Sequence, residues 1–145
     1  LFERADAAAP LAAASLVKAA QAAGLSPAAT QVLKAHYAKQ PCIDVLDAIT
    51  ALAADSAEHA TASHQSYLDH LNQHASLMAA TRWLIDENSP TKPLPAPVQK
   101  ALEQAIRPLA RYRCAACGFE AKEHFWHCPG CQAWDSYPPR RIEEL

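Results

Sequence analysis

Glycine is scarce in this sequence. The 145 residues contain three glycines, Gly24, Gly118 and Gly130, and only one of them precedes residue 114. β-Sandwiches and barrels need many glycine-containing turns, and a phosphate-binding loop needs several glycines close together. The sequence therefore excludes an all-β fold and a glycine-rich nucleotide-binding loop.

Long hydrophobic runs and an excess of charge of one sign are also absent. No stretch is apolar and long enough to predict a transmembrane helix, and no cationic segment followed by an apolar one predicts a signal peptide. The first residue is Leu1, so we expect a fragment of a longer protein, whose membrane anchor would lie outside it. The 13 basic and 15 acidic residues argue against nucleic acid binding, because such proteins usually carry a basic excess.

Alanine, by contrast, is abundant, with 33 copies, and it is the strongest helix former. Pro10, Pro27 and Pro41 each precede a stretch with helical hydrophobic periodicity, as expected for proline in a first turn. Gly24 suits the left-handed position after a helix, and Ser26 suits an N-cap. We predict helices near residues 10–23, 27–39, 41–54, 58–73, 75–87 and 97–109.

The short connections predict antiparallel neighbouring helices. The predicted starts are 17 and 14 residues apart, and two such steps approach the roughly 34-residue tetratricopeptide period. The tetratricopeptide consensus is absent, so an ordinary helical bundle remains the alternative. Four prolines in 88–97 predict an extended linker, and Pro108 should end or kink the last helix. We expect three parts: a tetratricopeptide-like helical region (1–88), a linker with the last helix (89–110), and a metal-binding module (111–145).

Four of the five cysteines lie in the last 32 residues, in the pattern C-x2-C-x10-C-x2-C. This spacing predicts a site for one metal ion, not a disulfide framework, with the ligands Cys114, Cys117, Cys128 and Cys131. Four thiolates form a closed tetrahedral site that suits Zn²⁺ or a single iron, so we expect a structural role. Thiolates kept free for a metal indicate a reducing compartment, hence the cytosol.

The last 35 residues are too few for a self-sufficient hydrophobic core, so the metal should supply much of the module's stability. We expect Phe119, Phe125, Trp126 and Trp134 to form a small aromatic core around the metal. We also expect the module to dock onto the helices, with Tyr112 and Trp134 facing them.

The histidines and the fifth cysteine predict no second site. His124 and His127 flank the second cysteine pair, but four cysteines already complete a metal's ligand set. His70 and His74 have the i, i+4 spacing that can hold a metal, but the glutamate of an H-E-x-x-H motif is missing. We therefore interpret the pair as part of a solvated helix face, and Cys42 as a buried apolar residue. No set of catalytic residues stands out.

Residues 112–119 read Tyr-Arg-Cys-x-x-Cys-Gly-Phe, and residues 126–134 read Trp-His-Cys-Pro-x-Cys-x-Ala-Trp. These strings resemble the rubredoxin-type tail of the lipopolysaccharide assembly protein B family, over about residues 111–145. Tetratricopeptide-like helices ahead of this tail are also that family's order. The resemblance implies a C-terminal fragment, soluble in itself. The full-length protein would lie on the cytoplasmic side of the inner membrane, held by an N-terminal helix.

The resemblance also implies a function. It predicts a non-enzymatic adaptor that limits lipopolysaccharide synthesis by bringing the lipid A deacetylase to the membrane protease FtsH, with one structural Zn or Fe ion. Rubredoxin-like electron transfer or redox sensing is the alternative. A nucleic-acid-binding zinc ribbon is disfavoured because residues 111–145 hold five basic and five acidic side chains. A glycosyltransferase is disfavoured because nothing here is long enough to be a transferase domain.

Overall fold

The computed structural model describes residues 8–53, 59–85 and 94–145, and this part of the chain is mainly helical. The last segment also contains a two-stranded antiparallel sheet, Tyr112–Arg113 (β1) with Glu120–Ala121 (β2), and a 3₁₀ turn at Ile142–Glu144. The predicted fold class, a helical body followed by a small four-cysteine module, is confirmed. The described helices are Ala9–Ala23 (α1), Ser26–Lys39 (α2), Ile43–Ala53 (α3), His59–Gln73 (α4), Leu77–Ile85 (α5) and Ala96–Ile106 (α6).

The connection between α1 and α2 shows where the sequence signals were right and wrong. Gly24 has a φ of +68° and its amide donates to the carbonyl of Gln21, so its predicted left-handed role after α1 is confirmed. The N-cap prediction for Ser26 is wrong. Leu25 is the N-cap, because its carbonyl already accepts the helical hydrogen bond from the amide of Ala29. Ser26 therefore lies in the first turn of α2.

Two other boundaries differ slightly from the prediction. Helix α3 begins at Ile43, two residues after Pro41, and the carbonyl of Cys42 accepts the first helical hydrogen bond. Helix α6 ends at Ile106, three residues before the predicted end at 109 and two before Pro108, the residue expected to end or kink it. Most of the predicted linker, residues 88–93, lies outside the described residues, as do the predicted helix ends at 54, 58 and 86–87.

Helix α3 is central to the helical body, because it packs against α1, α2 and α4. One face of α3 packs with α1 and α2 to form an apolar core. The partly buried side chains of Leu16 and Tyr37 pack against this core. No helix in the described ranges is long and apolar enough to cross a membrane. The buried members of this first core are Ala13, Val17, Ala20, Ala29, Leu33, Cys42, Val45, Ala48, Ile49 and Leu52.

The other face of α3 contributes to a second core, shared with α4, α5 and α6. In α5 the buried residues include Met78 and Ala79, whereas Leu77 is 44% exposed. The helix begins at Leu77, whose amide is capped by a distant carboxylate, so this residue lies at the open edge of the core. The buried members of this second core are Ile43, Leu46, Tyr67, Met78, Ala79 and Ile106.

Candidate metal centre

Two short turns bring the four predicted ligands together. Cys114 directly follows β1, and Cys117 lies in the turn that leads to β2. Cys128 and Cys131 lie in a second turn, and the four Sγ atoms are all within 4.8 Å of one another. The cluster is the one group of three or more potential metal ligands gathered within the described residues.

The sulfur separations fit a single tetrahedral ion. The Sγ atoms of Cys114 and Cys131 are 3.8 Å apart, and those of Cys117 and Cys128 are 3.7 Å apart. Zinc–sulfur bonds of about 2.3 Å in a tetrahedron place the sulfurs about 3.8 Å apart. A disulfide would need about 2.05 Å. The donor set therefore fits one Zn²⁺ or one iron bound between the two turns.

The two turns have the same backbone pattern. In the first, the amide of Gly118 donates to the carbonyl of Cys114 over 2.9 Å, and Gly118 has a φ of +77°. In the second, the amide of Gln132 donates to the carbonyl of Cys128 over 2.9 Å, and Gln132 has a φ of +60°. Both positions are four residues after the first cysteine of the pair. The backbone thus folds each cysteine pair into one tight loop, as a single shared ion requires.

The site has a protected side and an open side. Cys114 and Cys128 are buried, whereas Cys117 and Cys131 are exposed. The Ser136 hydroxyl lies 3.2 Å from Cys114 Sγ, and this hydrogen bond, together with bonds from the backbone of Cys117 and Ala116, lowers the pKa of the Cys114 thiol to about 6. A thiol that ionises readily binds a metal with less competition from protons.

The prediction of which aromatic residues form the core of the module is wrong. Its buried core consists of Tyr112 and Tyr137 together with Cys114 and Cys128. The two tyrosines cover the protected side of the cysteine cluster, and the Tyr137 hydroxyl donates to the carbonyl of Phe119 over 3.1 Å. The four aromatic residues predicted to form the core are instead 36% to 72% exposed to solvent: Phe119, Phe125, Trp126 and Trp134.

The module lies against the helical body, but only one of the two expected residues faces it. Tyr112 is buried, and Leu11 of α1 packs against the module core that contains it. Trp134 is 72% exposed and packs beside His127. The expectation for Trp134 is therefore wrong.

The terminal segment after Tyr137 joins the two parts through Arg141. Its guanidinium makes a bidentate ion pair with Asp44 in the first turn of α3, with Nε–Oδ2 and Nη2–Oδ1 distances of 2.9 Å. The same group donates to the carbonyl of Ala110 over 2.7 Å and lies 4.3 Å from the ring centroid of Tyr112. One side chain thus touches the module core, the end of the linker to it, and α3.

Two glutamates of the same segment cap helix N-termini. Glu144 Oε1 accepts a hydrogen bond from the amide of Ile43, the first residue of α3, over 2.7 Å. Glu143 accepts hydrogen bonds from the amides of Leu77 and Met78, the latter over 3.0 Å, and from the Ser76 hydroxyl over 2.9 Å. A carboxylate satisfies the free amides of a helix N-terminus and is favoured by the helix dipole.

We call Arg141, Glu143 and Glu144 together the tail clamp. Sequence analysis missed it, because the partners of Glu144 and Arg141 in α3 lie 101 and 97 residues away along the chain. Nothing local in the sequence distinguishes a terminal Glu-Glu pair that caps a distant helix from one in solvent.

Neither histidine near the second cysteine pair joins the cluster in the described structure. His124 Nε2 lies 3.0 Å from the carbonyl of Tyr137, and its ring packs edge-on against Tyr112. His127 is exposed. The four cysteines thus form the cluster without an imidazole.

The i, i+4 histidines at the C-terminal end of α4 differ from the predicted solvated face. His70 is buried, and its Nδ1 hydrogen-bonds to the Tyr37 hydroxyl of α2 at 2.5 Å. His74 is exposed. The expectation of a solvated face is therefore right for His74 and wrong for His70. Cys42 is buried as predicted, and burial raises the pKa of its thiol to about 12.

Comparison with known proteins identifies the module. A family described as the rubredoxin metal binding domain matches residues 112–139. Lipopolysaccharide assembly protein B of Escherichia coli strain K12 is 47% identical over 38 residues, which cover 26% of this chain and 10% of that protein. The protein of the same name from Haemophilus influenzae strain Rd is 33% identical over 47 residues, covering 32% of this chain and 12% of the relative.

These matches span about a tenth of the length of the curated relatives. They coincide with the residues that form the four-cysteine cluster and its buried tyrosines. The recognition made from the two cysteine strings is therefore confirmed. Residues 112–139 of this chain are thus similar to the rubredoxin metal binding domain, and the wider C-terminal region is similar to the corresponding part of lipopolysaccharide assembly protein B.

Proposed function

We propose that this chain is part of a non-enzymatic adaptor that limits lipopolysaccharide synthesis. In this role it presents the lipid A deacetylase to the membrane protease FtsH for degradation, on the cytoplasmic side of the inner membrane. The relatives that match the module carry lipopolysaccharide assembly in their names, which supports the pathway. The two named partners come from the family resemblance of residues 111–145.

The observation that carries the proposal is the tail clamp, which joins a family-specific module to a helical body. Arg141 and Glu144 contact the first turn of α3, and Glu143 contacts the first turn of α5. An adaptor has to hold two proteins in a fixed relation, so a module fixed to the helices suits it better than one on a free tether.

We propose further that the helices are of tetratricopeptide type and that residues 1–88, 89–110 and 111–145 are the working parts. Helix α3 contacts both members of the preceding pair, α1 and α2. Stacking of each helix pair on its neighbour is the packing of such repeats. Repeat arrays of this kind commonly provide extended protein-binding surfaces.

The metal has a structural role in this proposal. Cys114, Cys117, Cys128 and Cys131 would hold one Zn²⁺ or iron ion, which cross-links the two turns and offers no free position for substrate. The surrounding residues position the ligands: Ser136 bonds to the Cys114 sulfur, and the tyrosines exclude water from the protected side. The chain's partners would then be proteins, not nucleic acid.

Electron transfer or redox sensing is the second candidate, and one observation favours it. Cys117 and Cys131 are exposed, so an iron bound there would lie close to the protein surface. In this case the ion itself would carry the function, and zinc could not replace it.

The test is degradation of the deacetylase in a reconstituted system with FtsH and the full-length adaptor. We expect the zinc-loaded adaptor to accelerate degradation, and Cys128→Ser to lose this effect. Cys42→Ala is the matched control, because it removes a buried cysteine outside the cluster and should retain the activity. Activity of the iron form alone would support redox sensing, and no acceleration by either form would refute the adaptor proposal.

A further inference from the structure

We propose that His70 and His74 form a second metal site, for a divalent transition-metal ion such as Zn²⁺, in the cleft between α2, α4 and the tail clamp. This site is separate from the cysteine cluster and independent of the proposed adaptor function. It contains two protein ligands, and water completes the coordination of the ion.

His70 lies in the last turn of α4 and His74 directly follows the helix, where its amide still donates to the carbonyl of His70 over 2.8 Å. Residues at i and i+4 lie on the same face of a helix, one turn apart. The ring centroids of His70 and His74 are 5.1 Å apart and the rings are inclined at 39°. Metal–nitrogen bonds of about 2.0–2.1 Å allow two rings at such a separation to share one ion after a small rotation.

His70 is held in the manner of a metal ligand. Its Nδ1 is hydrogen-bonded to the Tyr37 hydroxyl, which fixes the ring and leaves Nε2 as the nitrogen available to a metal. Histidines that bind metals generally use their second ring nitrogen in such a bond, which orients the ligand. Burial, followed by the charge of His74, lowers the pKa of His70, so the ring is neutral near pH 7 and can act as a ligand.

The two rings line an open cleft of about 520 Å³. The cleft gives an ion and its waters access, because His74 is exposed on it and the cleft opens to solvent. Glu143, on the opposite wall, faces His70 closely enough to favour positive charge there, although its carboxylate is engaged with α5. Because Lys39 and Arg140 also line the cleft, its walls carry charges of both signs, and the two imidazoles themselves supply the preference for a metal ion.

The chemistry of the donors selects the class of ion. Imidazole nitrogens suit zinc, copper, nickel and iron, whereas calcium and magnesium need oxygen ligands. Two imidazoles and water form a labile site, in contrast to the closed four-sulfur cluster. The inference is thus an exchangeable transition-metal site on the helical body.

The test uses the chain with its cysteine cluster already filled with one zinc per chain, titrated with further Zn²⁺ by calorimetry. We expect a second ion to bind, and the ring signals of His70 and His74 to shift in NMR spectra. His74→Ala should weaken this binding at least about 10-fold without unfolding the protein, because His74 is exposed.

Two further variants separate a built site from chance binding. Gln73→Ala, which changes another side chain of the cleft, is the matched control and should bind zinc as the unchanged protein does. Tyr37→Phe keeps the ring but removes the hydroxyl that orients His70, and should weaken binding about 10-fold. Absence of a second zinc, or equal binding by His74→Ala and Gln73→Ala, overturns the proposal.

Discussion

Replacing Arg141 by alanine should loosen the attachment of the metal module to the helices. The side chains of Arg141 and Asp44 are only 22% and 18% exposed, so the substitution leaves a mostly buried carboxylate without its partner. Breaking a fully buried ion pair costs about 3–5 kcal/mol. Allowing for the remaining solvent contact, and including the lost contact with Tyr112, we expect a loss of about 2–4 kcal/mol.

The assay is urea unfolding of the zinc-loaded chain, followed by far-UV circular dichroism and by tryptophan fluorescence. Arg140→Ala is the matched control, since it removes the same charge one residue earlier and should cost under about 1 kcal/mol. Adding Asp44→Asn to Arg141→Ala should cost much less than Asp44→Asn alone, because the two groups act as a pair. A loss below about 0.5 kcal/mol for Arg141→Ala would refute this reasoning.

The remaining predictions concern the metal site and His70. In a chain that also carries His74→Ala, Cys128→Ser should reduce bound zinc below one ion per chain and unfold the module, while circular dichroism retains most of the helical signal; tight binding of a full ion would contradict this. Ser136→Ala should weaken zinc binding about 10-fold in a chelator competition, because Cys114 loses its hydroxyl partner; unchanged affinity counts against that role. Burial lowers the pKa of His70, so its contribution to stability is complete above about pH 6.5 and is lost as the pH falls through the lowered value. An NMR titration of the His70 ring should therefore give a midpoint below 6.5, and a higher midpoint would contradict it.

Local signals predicted much of the helical body and the cysteine cluster. Gly24 marks the end of α1 because its positive φ costs little without a side chain, and the two C-x2-C pairs form turns whose geometry is set within a few residues. Cys42 was predicted as buried from its apolar character, and the structure agrees. These features depend on the residue itself and its immediate neighbours.

Features that depend on distant contacts could not be predicted in the same way. His70 is buried, and its hydrogen-bond partner, the Tyr37 hydroxyl, lies 33 residues away along the chain. Leu77 and Trp134 are 44% and 72% exposed although their residue types favour burial. Glu144 finds its partner at Ile43 only after the helices have packed. The tail clamp is therefore a property of the tertiary structure.

The ligand set of the cysteine cluster is the central claim, and X-ray absorption at the zinc edge tests it most directly. The measurement requires the protein loaded with one zinc per chain, with His70 and His74 replaced so that only the cluster contributes. We predict four sulfur neighbours at about 2.3 Å and no nitrogen or oxygen neighbour. A first shell that includes nitrogen, or fewer than four sulfurs, would contradict a site formed by Cys114, Cys117, Cys128 and Cys131.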